Sequence, residues 1–398
     1  MAKKKSIKKT PLAVSSSSAS TGKVTSADDI LRQPAEEQYA DQLEALKQND
    51  SDPRPANWLL SPRAVVDYIV GGKKLKAKLG GTTSEVEITK KFFGDLGIVQ
   101  RSVVTLASER ALLLVGEPGT GKSWLSEHLA AAISGNSTLT IQGTAGTTEE
   151  QIKYSWNIAR VIAEGATPEN LVPSPTMIGM RQGTLLRFEE ITRCVPDVQD
   201  SLVSILSDKS ISVPELPDAN TVRAKSGFNV IATANTRDQG VNELSAALKR
   251  RFNYIYIPIV ADEKTEVTIV QQRSAELIAR YDLPIEIPKP IVQLLAIAFR
   301  EMRDGKTKEG VSIKKPSTSL STAEAIGVAL DAALHARFFG SGQVTASDIA
   351  RNMLGSVVKE DQADAKVLKE YAVLIAKRRG SKDKHWQDFH DAMIEQIK

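Results

Sequence analysis

The aliphatic run Ala111-Leu112-Leu113-Leu114-Val115 passes directly into Gly116-Glu117-Pro118-Gly119-Thr120-Gly121-Lys122-Ser123, and then into a helical pattern from Trp124 to Ala130. The run reads as a short buried strand. Glycines at 116, 119 and 121 let the backbone turn back and present its N–H groups. Lys122 adds a positive charge and Ser123 a hydroxyl. A helix starting near Lys122 points the positive end of its dipole at the same spot. The spacing G-x-x-x-x-G-K-[ST] is met by Gly116, Gly121, Lys122 and Ser123 in the strand–loop–helix context that a phosphate cradle requires. The candidate nucleoside triphosphate site is therefore Gly116, Glu117, Pro118, Gly119, Thr120, Gly121, Lys122, Ser123 and Trp124, with the Ser123 hydroxyl placed for a magnesium ion.

At 398 residues the chain is long enough for a large core and for two or more domains. A single cysteine, Cys194, excludes an internal disulfide and suits a reducing cytoplasm, where it reads as a small packing residue. Histidines and that cysteine are too scattered to form a metal-ligand spacing. No apolar run approaches the roughly 18 residues needed to span a membrane. The apolar patch near the start, Pro11 to Val14, is too short for a secretory signal. Lys3, Lys4, Lys5, Lys8 and Lys9 account for much of the net charge of +4. Their tail reads as solvated and disordered, with contact to nucleic acid or an acidic partner as the alternative.

Residues 1–55 read as a disordered basic and polar leader with one polar helical piece around Pro34 to Gln48. An extension follows over 56–93. In it Ser61 serves as N-cap and Pro62 as first helical residue, GGKKLKAKLGG is a flexible basic connector, and SEVEITKKFF is a strand. Residues 94–260 alternate helix and strand as a parallel sheet flanked by helices does. Strands are expected at Ala111–Val115, Thr138–Gln142, Thr184–Glu189, Phe228–Thr233 and Tyr254–Ile257. About 144–179 is long for one crossover and reads as a helical insertion. Beyond Asp262 strand-like runs give way to a second, all-helical domain over 261–356 and a helical C-terminal extension over 357–398.

Some sixty residues after the cradle, GTLLRFEEITR ends a strand in Glu189 and Glu190. Phosphoryl transfer needs one carboxylate to organise Mg²⁺ and another to orient the attacking water. FNVIATAN then ends a strand in Asn235, whose amide can hold that water. ALKRRF places Lys249, Arg250 and Arg251 before the last strand, and arginine is suited to stabilising charge on a transferring phosphoryl group.

Together these features resemble an AAA+ ATPase over roughly Ile88 to Leu354. EEITR resembles the D-E-I-N-R run of the MoxR family. STAEAIGVALDAALHARFFGSGQVTASDIA resembles that family's lid, and ALKRRF is similar to dynein-related and McrB-like members of the broader clade. The resemblance implies a P-loop α/β domain with a smaller helical lid, ATP and Mg²⁺ as cofactors, and a homo-oligomeric ring, usually hexameric, with ATP at each interface. For MoxR relatives it implies chaperone action beside a protein carrying a von Willebrand A domain. By position, Ser123 and Glu189 fall on the metal site, Glu190 on the water-activating acid and Asn235 on the first sensor. Arg250 or Arg251 falls on the arginine finger, Arg251 being the better match because it precedes Phe252. Two positions depart from the pattern. The metal acid is usually Asp, and a Glu suits a contact that runs through one of the waters Mg²⁺ retains. The lid's second-sensor arginine falls on Ala323, so that contact is absent or comes from Lys314, Lys315 or a neighbouring subunit. The expected function is a ring ATPase that remodels or activates a partner protein. An ATP-gated scaffold with slow hydrolysis and a McrB-like partner of a nuclease are the alternatives.

Overall fold

The computed structural model describes residues 31–216, 221–236, 242–317, 320–359 and 363–397. Helices α1 (Ala35–Gln38), α2 (Ala40–Asn49) and α3 (Pro62–Val70) precede a hairpin of β1 (Lys73–Leu79) and β2 (Thr82–Ile88). The α/β region holds α4 (Leu96–Leu106), β3 (Ala111–Gly116), α5 (Lys122–Ser134), β4 (Thr140–Gln142), α6 (Glu149–Ile152), β5 (Tyr154–Trp156) and α7 (Ile158–Glu164). It continues with β6 (Leu171–Pro173), α8 (Pro175–Gln182), β7 (Leu186–Glu189), α9 (Pro196–Asp200), α10 (Leu202–Ser207), β8 (Ser210–Ser212) and β9 (Thr221–Arg223). It closes with β10 (Val230–Asn235), α11 (Ala246–Lys249) and β11 (Phe252–Ile257). The rest is helical: α12 (Glu263–Arg280), α13 (Lys289–Asp304), α14 (Thr322–Phe338), α15 (Ala346–Val357), α16 (Ala363–Tyr371), α17 (Lys377–Gly380) and α18 (Lys384–Gln396).

Five strands form the expected parallel sheet in the order β11-β3-β10-β7-β4. Alternation along β3 sends Leu112 and Leu114 into one buried layer with α3, α4 and α5, and Leu113 into the other with Phe188, Val230 and Ala232. The register sets Asn235 beside Gly116 and Gln142 beside Glu189, so the functional candidates gather where the strands end. Ser61 caps α3 through the N–H of Ala64, with Pro62 opening the helix, as its sequence predicts.

The structure corrects three sequence expectations. The disordered leader does not extend to residue 55: Ala35, Tyr39, Leu43 and Leu46 are buried in the same layer as Leu112 and Leu129. Few but well-spaced apolar residues on a polar helix suffice for this docking. The first 30 residues, with the basic tail, lie outside the described residues. KKLKAKL is a strand rather than a flexible connector, paired with β2 from Lys73–Ile88 to Leu79–Thr82. Its period of two was hidden by a lysine at every second position, one of which, Lys74, pairs across the hairpin with Glu85 at 3.5 Å. The insertion at 144–179 is not simply helical, since β5 and β6 form an antiparallel pair around α7.

The C-terminal extension shares one core with the lid helices, including Phe299, Val328, Tyr371 and Phe389. Glu301 ties the two together, accepting from the Tyr371 hydroxyl at 2.7 Å and from Arg379 at 2.7 Å. No helix among the described residues is long and apolar enough to cross a membrane.

Candidate nucleotide site

Gly121 adopts a left-handed conformation (φ 85°) at the start of α5, and no side chain caps that helix among the described residues. The positive end of this helix and its first-turn N–H groups face the loop, an arrangement that suits an anion. Lys122 is buried, and its ammonium donates to the carbonyls of Gly116 (3.1 Å) and Glu117 (2.7 Å). Thr120 closes the loop by donating to the Glu117 carbonyl at 2.9 Å. These bonds hold the bend that the glycines permit.

The two acids separate into different environments. Glu189 is 4% exposed and accepts from the hydroxyls of Ser123 (2.7 Å), Ser126 (2.5 Å) and Thr233 (2.7 Å) and from Arg187 (2.9 Å). Burial raises its pKa, but Arg187 and the three hydroxyls outweigh burial and hold it below the usual carboxylate range. Glu190 stands at the strand end with φ 55°, left-handed for a non-glycine residue, its N–H donating to the Thr233 hydroxyl at 3.0 Å. That turn lifts its half-buried carboxylate out of the sheet toward the cradle, where it pairs with Arg193. A strained conformation at a strand end is a recurrent mark of working residues.

A cavity of about 720 Å³ spans the cradle, Glu190, Asn235 and the inner face of the helical domain. Apolar walls come from Phe92, Phe93, Ile257, Pro258, Ile269 and Leu277. Such a mix of apolar wall and clustered polar groups suits a base and ribose beside a polyphosphate. Ser123 and Glu189 offer oxygen donors alone, the preference of a hard cation such as Mg²⁺. The Ser123 hydroxyl donates its proton to Glu189, which leaves its lone pairs for a metal, so the residues fit that ion.

Trp124 also lines the cavity. Its indole N–H donates to the Lys91 carbonyl at 2.9 Å, and the Arg273 guanidinium of α12 lies 3.6 Å from its ring centre. Lys91 is buried over the rings of Tyr39 (4.6 Å) and Tyr68 (4.4 Å), and burial pulls its pKa down to about 7 against the pull of Glu276. His128 lies 4.2 Å from Trp124 between ring centres, and burial pushes its pKa well below the usual imidazole value. Cradle helix, N-terminal helices and lid thus meet in one buried cluster. The sequence gives no local sign of Lys91, Ser126, Arg187, Thr233, Arg273 and Arg303, because Lys91 stands in the loop after β2 and the others are ordinary residues within ordinary helices or strands.

Ala323 lines the cavity, as the lid alignment implies, whereas Lys314 and Lys315 do not. The lid cations that line it are Arg273 and Arg303, the latter paired with Glu266 through two bonds of 2.9 Å. Neither Arg250 nor Arg251 lines this cavity. Arg251 is held by Ser207 and by the Ala247 carbonyl, while Arg250 is exposed and makes no side-chain bond among the described residues.

Residues 111–252 match the AAA domain of the dynein-related subfamily, and residues 264–394 match the YehL-like AAA+ ATPase C-terminal domain. The chain is 42% identical to the Escherichia coli (strain K12) protein YehL over 91% of its own length and 97% of that protein. It is 26% identical to the gas vesicle ATPase GvpN of Haloferax mediterranei over 49% of its length and 57% of that protein. The ATP complex of NtrX from Brucella abortus is 13% identical, with a TM-score of 0.45 over 78% of this chain and 69% of that one.

Proposed function

The chain belongs to the YehL-like AAA+ ATPases of the dynein-related subfamily and is an ATP hydrolase, and we propose that it forms a ring whose hydrolysis cycle remodels or activates a partner protein. The observation that carries the reading is a cavity shared by the cradle, Glu190, Asn235 and a helical lid. Lys122 neutralises the β- and γ-phosphates, Glu190 activates the attacking water and Asn235 orients it. Ser123 and Glu189 would hold Mg²⁺, which would supply positive charge to neutralise the triphosphate. Arg250 and Arg251 lie outside their own cavity, which supports action in a neighbour's site. A von Willebrand A domain protein is the partner class suggested by the MoxR resemblance, and the setting is the cytoplasm.

A second reading, an ATP-gated scaffold with slow turnover, is favoured by one observation. Ala323 brings no charge to the cavity, and the nearby lid arginines are already engaged, Arg273 with Glu276 and Arg303 with Glu266. Particle imaging with and without a slowly hydrolysed ATP analogue, alongside steady-state ATPase assays, tests both. Rings that appear with the analogue and turn over ATP at catalytic rates support remodelling. Rings without appreciable turnover support the scaffold. Monomers under every nucleotide condition would sink both.

A further inference from the structure

We infer that Ser126 and Arg187 are positioning residues for the metal-site carboxylate, the adaptation that lets this chain use Glu189 where the pattern it resembles has the shorter aspartate. The inference rests on the reading of Ser123 and Glu189 as the Mg²⁺ site.

The two carboxylate oxygens of Glu189 have different duties. Oε2 accepts from Ser123, the cradle hydroxyl, and from Thr233, each at 2.7 Å. Oε1 accepts from Ser126 at 2.5 Å and Arg187 at 2.9 Å. Neither Ser126 nor Arg187 lines the nucleotide cavity. Two donors on each oxygen fix the orientation of the carboxylate. The local geometry follows from spacing. Arg187 and Glu189 lie two apart on β7 and share a face, while Ser123 and Ser126 lie three apart on α5 and share a side. Arg187 is itself braced, its Nε donating to Ser126 at 3.0 Å and its Nη1 to the Ser137 carbonyl at 3.0 Å.

A longer side chain needs such a clamp because there is space to lose it in. A second cavity of about 550 Å³ reaches Ser123 and Glu189 from the side away from the base pocket, and Arg187 lines it. Without the hold on Oε1, the extra methylene gives Glu189 a torsion by which to turn into that space and leave Ser123. An aspartate has no such torsion and ends one methylene short of Ser126 and Arg187. The clamp is therefore matched to glutamate, and its value should vanish when the side chain is shortened.

The test is a double-mutant cycle on metal binding, using the full chain, Mn²⁺ and a slowly hydrolysed ATP analogue. Mn²⁺ affinity is read by electron paramagnetic resonance, analogue affinity is measured in EDTA, and melting temperature controls for folding. Ser126→Ala should weaken Mn²⁺ binding about tenfold or more, the usual size for a group that orients a metal ligand. Its metal-free analogue affinity and melting should stay at wild-type values. In a Glu189→Asp background the same substitution should change Mn²⁺ affinity by less than about twofold, because the coupled partner is gone. Unaltered Mn²⁺ affinity in Ser126→Ala, or an equal loss in both backgrounds, overturns the clamp. A matching loss of metal-free affinity or melting does so too, since it marks a purely structural role. A wild-type chain that binds the analogue yet takes up no Mn²⁺ when the ion is supplied sinks the metal-site reading itself, a result visible before any variant is made.

Discussion

Ser321, the N-cap of α14, rests on Gly119 of the phosphate cradle so closely that a β-carbon on Gly119 would lie 2.2 Å from the Cβ of Ser321. The lid is thus closed onto the cradle through a glycine with φ +73°. Gly119→Ala has two consequences. The left-handed backbone costs about 1–2 kcal/mol with a β-carbon present, and α14 must move away from the loop. We expect a lower melting temperature and an ATP affinity reduced on the order of tenfold, as cradle N–H groups lose their fixed directions. Thermal denaturation with and without ATP, and a direct ATP titration, measure the two effects. Wild-type values for both would mean that the lid contact is dispensable.

Glu189 and Glu190 are adjacent, yet one is buried under four donors and the other turns half-exposed into the cavity. Their amide variants should fail differently. Glu190→Gln should keep ATP bound while hydrolysis falls about a hundredfold or more, the scale of a lost general base. Glu189→Gln should chiefly raise the Mg²⁺ concentration needed for half-maximal ATP binding. ATPase assays and nucleotide titrations across Mg²⁺ concentrations separate the two. Near-normal hydrolysis in Glu190→Gln together with none in Glu189→Gln would reverse the assignment.

Each part of the fold and of the site is legible in the sequence only as far as its physical signal is local. The cradle was legible because strand, glycines, Lys122, Ser123 and helix are consecutive, and each constrains the backbone locally. Glu189, Glu190 and Asn235 were legible as strand ends, since parallel strands deliver their last residues to one edge. The clamp on Glu189 was not, because Ser126 and Arg187 matter only through pairing of β7 beside α5, a tertiary relation with no local signature. The β1–β2 hairpin was hidden for the opposite reason: its lysines obscured an alternation that the structure uses. The docking of α1 and α2 was missed because Tyr39, Leu43 and Leu46 are few among polar neighbours, although each is buried.

Lys91 makes stability depend on pH. Its ordinary pKa of 10.5 applies to the unfolded chain, and burial brings it to about 7 in the folded one. Between those values the unfolded state binds more protons, so stability rises with pH there. The contribution is complete above about pH 10.5 and is lost as pH falls through about 7. Its greatest slope is about 1.4 kcal/mol per pH unit. Lys91→Met removes this term. The variant should gain on the wild type most at pH 7 and below, and the gain should shrink steadily toward pH 9. Chemical denaturation at pH 6, 7, 8 and 9 follows the difference. A gap that stays constant over this range would show that the buried amine remains charged.

Arg250 and Arg251 follow α11 at the start of the edge strand β11, and neither lines its own nucleotide cavity. An arginine acting in a neighbour's site can contribute about a thousandfold or more in rate. Two inactive proteins test this. Glu190→Gln keeps its arginines and lacks the water-activating acid, and Arg250→Ala with Arg251→Ala keeps the acid and lacks the arginines. When subunits exchange, some interfaces pair an intact acid with an intact arginine, so hydrolysis should return and peak at intermediate mixing ratios. Arginines acting within one chain give no such recovery. Background activity at every ratio, with exchange shown by labelled subunits, would remove the trans-acting finger. Single variants then separate the pair. The match to Phe252 favours Arg251, but Arg251 is tied to Ser207 and the Ala247 carbonyl within its own chain. Arg250 is exposed with its guanidinium uncommitted among the described residues. We therefore expect Arg250→Ala to abolish complementation and Arg251→Ala to lower it less, through a looser α11. The reverse order would mean that Arg251 leaves Ser207 when a neighbour docks.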